Sequence, residues 1–220
     1  MAKRQLRSRF GSSSNTAFIN VPYDKKYEEL YLAFIAGLSG FGLIPHTTAE
    51  ISGSERRLDR IFRMIRGCRY SFHDLSRVEL DRRPPPTPRF NMPFELGLAV
   101  AWAKSGKRKH EWFVFEAQRH RIKKSLSDID GTDPHIHEAK ARRLLLALAN
   151  ALTRTRHRPT VTELAAILGD LKEAARKIKR DLHTGSLFEA RPFSDLVVAA
   201  RLSARKRITR PRGLGGSTLP

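Results

Sequence analysis

The residues of this chain best placed to do chemistry are carboxylates and polar side chains that follow short apolar runs. Asp74 closes one such run in His73-Asp74-Leu75-Ser76, and Glu95 lies early in Asn91-Met92-Pro93-Phe94-Glu95-Leu96-Gly97-Leu98-Ala99. A carboxylate held beside a sugar carbon can act as a nucleophile or stabilise an oxocarbenium-like charge. The plainer role for Glu95 is to complement the dipole at the start of an apolar helix. Asn20, Pro22 and Tyr23 follow another run, Phe18-Ile19-Asn20-Val21. Ser52-Gly53-Ser54 precedes a helical pattern, where backbone N–H groups could hold a phosphate, although the same three residues serve equally as a turn and cap.

These residues need a scaffold, and the pattern around them supplies one. Strands are expected over residues 15–21, 41–46, 70–75 and 112–116, each short and rich in apolar or β-branched side chains. Between them lie helical patterns: one begins after Asp24 and ends at Gly37 and Gly40, one is capped by Ser54 and ends near Gly67, and one runs over 92–103, with Asn91 as cap and Pro93 near its start. Strands alternating with helices at this spacing imply an α/β fold, an open parallel sheet of four to five strands in a flavodoxin-like three-layer sandwich. Ligands of such a sheet bind beyond the carboxyl ends of its strands, where Asn20, Tyr23, Asp74 and Glu95 are expected to meet.

Other segments break the alternation. Residues 79–90 hold four prolines and read as an irregular loop, and 118–137 is a long polar stretch. Helices are expected over 139–152, 161–182 and 193–202, an all-helical C-terminal extension. Residues 160–182 superficially resemble a helix-turn-helix half with Gly169 as the turn, against the commoner alternative of a helix pair packed on the domain. The expected organisation is a basic tail at 1–14, a nucleotide- or nucleoside-binding domain at 15–136, a helical extension at 137–203 and a second tail at 204–220.

Three segments together resemble the nucleoside 2-deoxyribosyltransferase-like group and the related TIR-type domains: Phe18 to Tyr23, His73 to Ser76, and Asn91 to Ala99. The resemblance covers about residues 15–116. It implies a flavodoxin-like sheet that presents a glutamate to the anomeric carbon of a nucleoside or of the ribose of NAD. Glu95 takes that role by resemblance, Asp74 orients the substrate, and Asn20, Pro22 and Tyr23 line the ribose pocket. Asn91 and Met92, at the head of the same helix, join the substrate-binding set. Transferases of the group carry an aspartate shortly before the glutamate, whereas this chain has Pro88-Arg89-Phe90-Asn91 there. Arg89 suits a phosphate, as Ser52-Gly53-Ser54 does, which favours a nucleotide or NAD over a free deoxynucleoside. NAD would then be a substrate, and no separate cofactor is implied. The other function compatible with the resemblance is a nucleotide-sensing or self-associating module without catalysis, for which a homo-oligomer is expected.

Charge bears on partners. The chain carries 42 Lys and Arg against 22 Asp and Glu, a net +20. Half of that excess falls on the first 14 and last 20 residues, which carry ten basic side chains and no acid. Both ends are poor in large apolar groups, so disorder and non-specific attraction to nucleic acid are expected of them. A single cysteine, Cys68, excludes a disulfide framework and a cysteine-based zinc site. Asp130, Asp133, His135 and His137 crowd one short loop, which reads as a structured turn and not as a metal site. No uninterrupted apolar run approaches the length of a membrane span, and the basic start lacks the apolar core of a secretory signal, so a cytoplasmic protein is expected.

Overall fold

Alternating residues of the first strand point to two different apolar layers, and this alternation organises the molecule. The computed structural model describes residues 15–51, 56–77, 80–81, 84–88, 90–129 and 131–208, with 80, 81 and 88 described by backbone alone. Strand β1 (Thr16–Asn20) sends Ala17 and Ile19 into one core and Phe18 into the other, and all five of its residues are buried. It lies between β2 (Ile44–His46) and β3 (Tyr70–Asp74); β6 (Glu111–Glu116) and β7 (His135–Ile136) complete the sheet. The order β2-β1-β3-β6-β7 is all parallel, with Asn20 in register with His73 and Asp74 with Phe115. This is the flavodoxin-like doubly wound order.

Helices cover both faces. Helices α2 (Arg57–Gly67) and α3 (Asn91–Lys104) pack against each other and against the face that carries Phe18. Helix α1 (Glu28–Gly40) and α5 (Ala141–Ala151) cover the opposite face, with Phe72 and Phe115 beneath them. Asp24 accepts a 3.1 Å hydrogen bond from the Tyr27 N–H and so caps the entry to α1. From Leu30 to Gly40 every residue of α1 is buried, which one sheet face cannot achieve. A helix apolar on all sides needs cover on all sides. The helical C-terminal region supplies it: α6 (Val161–Asp181) and α7 (Ala190–Ile208) pack on α1 and on each other.

Several expectations need correction. Gly37 does not end α1; it lies inside the helix, where a Cβ would meet Leu148 Cδ1 at 2.5 Å, so its bareness serves close packing with α5. Gly169 makes no turn either. Helix α6 is one continuous 21-residue helix, begun by a capping box between Thr160 and Glu163, so the helix-turn-helix resemblance fails, and with it the helix-pair alternative. The proline-rich loop contains a short antiparallel ladder of β4 (Leu80–Asp81) with β5 (Thr87–Pro88). The polar stretch after β6 holds the short helix α4 (Arg121–Ser125) and ends in the fifth sheet strand, β7. Helix α7 runs to Ile208, past the boundary expected at 203, and its end is anchored where Arg207 grips the Asp170 carboxylate at 2.7 and 2.8 Å. Residues 1–14 and 209–220 lie outside the described residues. No described helix is long and apolar enough to cross a membrane.

Candidate functional site

Helix α3 begins one residue earlier than its sequence suggests. Its cap position is Phe90, which makes no side-chain capping bond, and Asn91 is its first residue. Pro93 falls in the first turn, where its missing N–H breaks no helical bond. Glu95 is consequently the fifth residue and not part of the first turn, so the helix dipole is not its main partner. It is 3% exposed, and the nearby Asn20 side chain favours its charged form. Arg57, the first residue of α2, places Nη2 3.8 Å from Glu95 Oε1. Burial pushes the Glu95 pKa up; Arg57 and Asn20 pull it part of the way back.

Asn20 is itself held by a chain of buried polar groups running the length of the sheet. His110 Nδ1 lies 3.0 Å from the Cys68 carbonyl, which can only accept, so this nitrogen carries hydrogen. Burial lowers the pKa of His110, and the neutral ring leaves Nε2 as an acceptor for the Ser71 hydroxyl at 2.9 Å. The Ser71 oxygen then accepts from His73 Nε2, also at 2.9 Å. Burial drives the His73 pKa down to about 3, with His110 pushing the same way, so this ring too is neutral and its Nδ1 is an acceptor. The Asn20 amide nitrogen sits 3.1 Å from that atom. Each donor in this series therefore has one acceptor, and the direction set at Cys68 fixes the orientation of the Asn20 amide.

Asp74 has a different environment. Consecutive strand residues face opposite ways, so His73 points with Asn20 towards α2 and α3, and Asp74 points towards α1 and α5. Its carboxylate is fully buried. It accepts from the Tyr27 hydroxyl, from His137 Nε2 at 2.9 Å and from the Ser76 N–H at 2.8 Å. His137 Nδ1 accepts from the Ala139 N–H at 3.1 Å, which orients the other ring nitrogen towards Asp74. Close by, the buried Glu116 pairs with Arg121, whose Nη2 also reaches the Ser76 carbonyl at 2.7 Å. These contacts lock the turns that follow β3, β6 and β7.

Tyr23 forms the wall on the β1 side. Its hydroxyl lies 3.4 Å from the Thr48 hydroxyl, in a turn pinned by Glu50, which accepts from the Thr47 N–H at 2.8 Å. Burial of the hydroxyl end raises the Tyr23 pKa, with Glu95 adding to the rise. Phe188, from the connection between α6 and α7, stacks on the Tyr23 ring at 5.5 Å and 21°, so the C-terminal region contributes directly to this wall. Pro22 is buried beneath it, Met92 is half-buried, and Asn91 is exposed at the head of α3. Phe90 and Phe94, exposed at 66% and 57%, precede Glu95 in sequence.

The structure thus brings Glu95, Asn20 and Tyr23 together and sets Asp74 on the other face of the sheet. Ser52, Gly53, Ser54 and Arg89 lie outside the described residues, as does Asp130. Sequence reasoning missed Arg57, Tyr27 and the roles of Ser71, His73, His110 and His137. A signal existed for His73, which directly precedes Asp74 at the end of a strand. Among the described residues, no group of three or more His, Cys, Asp or Glu side chains is arranged to hold a metal ion. Fold and site define a flavodoxin-like α/β protein with a buried glutamate at the carboxyl edge of its sheet. No family model, curated protein or solved structure matches the chain.

Proposed function

We propose that the protein cleaves or transfers an N-glycosidic bond of a nucleotide, nucleoside or NAD, with Glu95 acting at the anomeric carbon. The observation that carries this reading is the Glu95 carboxylate, 3% exposed at the strand ends, with its charged form favoured by Asn20 and Arg57 and with Tyr23 nearby. A carboxylate already stripped of water and fixed in place needs little rearrangement as positive charge develops on a sugar carbon. One Glu95 oxygen bonds to C1′ as the bond from C1′ to the base nitrogen breaks, and that electron pair leaves with the base. Water, or a second base, then attacks C1′, gives up its proton to the departed base or to solvent, and restores the free carboxylate. Water gives a hydrolase and a second base a transferase. Arg57 offers a cation for a substrate phosphate, and exposed Phe90 and Phe94 offer faces for a base.

The test is to incubate the purified chain with NAD and with (deoxy)nucleotides and measure released nicotinamide or free base. Release that falls at least 100-fold in Glu95→Gln supports the reading. No release from any of them, or equal release by the variant, overturns it.

Asp74 favours a second reading. Its carboxylate is committed to Tyr27, His137 and Ser76, so Glu95 is the one carboxylate of the pair left for a ligand. A non-catalytic module would bind a nucleotide there, and a thermal shift with nucleotides but without turnover would distinguish it.

A further inference from the structure

We propose that the opposite end of the sheet, at the amino ends of the strands, carries a groove that binds the phosphodiester backbone of nucleic acid. A cavity of about 680 Å³ opens there between the start of β3, the connection from α3 to β6, and the connection from α5 to α6. Among the described residues, five cations line it, Arg69, Arg108, Lys109, Arg154 and Arg156, and no carboxylate does. They come from three separate stretches of chain, so the cluster is a product of the fold and not of one basic run.

Helix dipoles account for part of this charge. In a doubly wound sheet the helices run against the strands, so α1, α2, α3 and α5 all end at this side. Each C-terminus is worth about half a negative charge. Four such ends, together with Glu111, which pairs with Arg69 at 2.7 Å, leave about two of the five positive charges uncompensated. Lys109, Arg154 and Arg156 have no carboxylate partner among the described residues, and all three are exposed.

The groove is also built in advance. The Thr155 hydroxyl lies 2.8 Å from the Leu152 carbonyl and 2.9 Å from the His157 carbonyl, which fixes the turn that presents Arg154 and Arg156. Gly42, at φ +76°, passes His157 where a Cβ would come within 2.9 Å of the ring nitrogen. Arg69 is held by Glu111 and lies 5.4 Å from the centre of the Tyr70 ring.

A phosphodiester backbone fits better than a single phosphate, because the cations are spread along the lining and do not converge on one buried point. The occupant is also consistent with the sequence that joins the groove at Asn15. That residue lines the cavity, and the preceding 14 residues carry four basic side chains and no acid. The groove lies at the other end of the strands from Glu95, so it can be altered without touching the candidate site.

Fluorescence anisotropy of the full chain with labelled single-stranded and duplex oligonucleotides, from 50 to 300 mM salt, tests the proposal. Arg154→Ala/Arg156→Ala is compared with Arg176→Ala/Lys177→Ala, which removes the same charge from an exposed face of α6. The tails are identical in both, so their contribution cancels. The groove variant is expected to lose about 10-fold or more in affinity at 100 mM salt. The slope of log K against log salt should fall by about 1.4 to 1.8, while the control variant changes less than threefold. Equal losses in both variants would show attraction by overall charge and overturn the proposal. So would an absence of oligonucleotide binding. Tripolyphosphate or ATP binding lost in the groove variant, with no oligonucleotide binding, would assign the groove to a small polyphosphate instead. Circular dichroism of each variant confirms that these exposed substitutions leave the fold intact.

Discussion

The Asn20 amide nitrogen lies 3.1 Å from His73 Nδ1, across the register pair that joins the ends of β1 and β3. Because His73 Nδ1 is an acceptor, the amide nitrogen must face it, and the same side chain favours the charged form of Glu95. The position of the candidate nucleophile is thus set by a neutral histidine inside the sheet layer. If His73 were protonated, Nδ1 would become a donor and oppose the amide.

This arrangement predicts a stability that falls with acid. His73 titrates near 6.5 when unfolded and near 3 when folded. Above pH 6.5 it is neutral in both states, and its contribution is fully present. As pH falls from about 6.5 towards 3, the unfolded chain takes up a proton that the folded chain refuses. Stability is then lost at up to about 1.4 kcal/mol per pH unit from this residue. His110, also lowered by burial, steepens the upper part of that window. Urea unfolding at pH 7.5, 6.5, 5.5 and 5.0 should show this slope, and His73→Gln should flatten it by about one proton. An unchanged slope in the variant would refute the neutral-histidine chain.

Arg57 and Asn20 both hold down a Glu95 pKa that burial raises. Removing either should move it further up. For a reaction that needs ionised Glu95, Arg57→Ala should shift the acidic limb of the kcat/KM profile to higher pH, and activity well above that limb should change less. The pH profile of base release reads this directly. A limb that stays in place, or moves to lower pH, would mean that Glu95 is not the group titrating there.

Much of the scaffold was legible because its signals are local. The apolar run of β1, the capping Asp24 and the stop near Gly67 each depend on neighbours in sequence, and each lies where expected. Strand β7 was hidden because it is two residues long, its backbone paired with the end of β6. Gly169 misled because packing and the Thr160–Glu163 cap outweigh a helix-propensity penalty of about 1 kcal/mol. Glu95 could be singled out by its type and place, but its partners could not. Asn20 reaches His73 across a gap of 53 residues and Tyr27 reaches Asp74 across 47, pairings that exist only once strands have aligned.

Asp74 should behave as a structural anchor. Its burial is tolerable only while Tyr27, His137 and Ser76 satisfy it. Tyr27→Phe removes one donor without changing shape and should destabilise the fold by about 1–3 kcal/mol, the range for a buried charged acceptor that loses a partner. Thermal unfolding gives the number. A loss under about 0.5 kcal/mol would show that the hydroxyl does not support the carboxylate.

The packing of α1 against α5 offers the sharpest test of the helical cover. A Cβ at Gly37 would approach Leu148 Cδ1 to 2.5 Å and Leu145 Cδ2 to 3.3 Å, and both leucines are fully buried with little room to retreat. Gly37→Ala gains about 1 kcal/mol of helix propensity but strains a filled core, which costs about 1–3 kcal/mol. The net expectation is a modest loss of stability, where the same change on an exposed helix would stabilise. Leu148→Ala alone should cost about 2–5 kcal/mol by leaving a cavity. The two changes relieve each other, so the double variant should be more stable than the sum of the single losses predicts, by about 1 kcal/mol or more. Denaturant unfolding of the four proteins closes this cycle, and strict additivity would mean that Gly37 is not the contact point between the two helices.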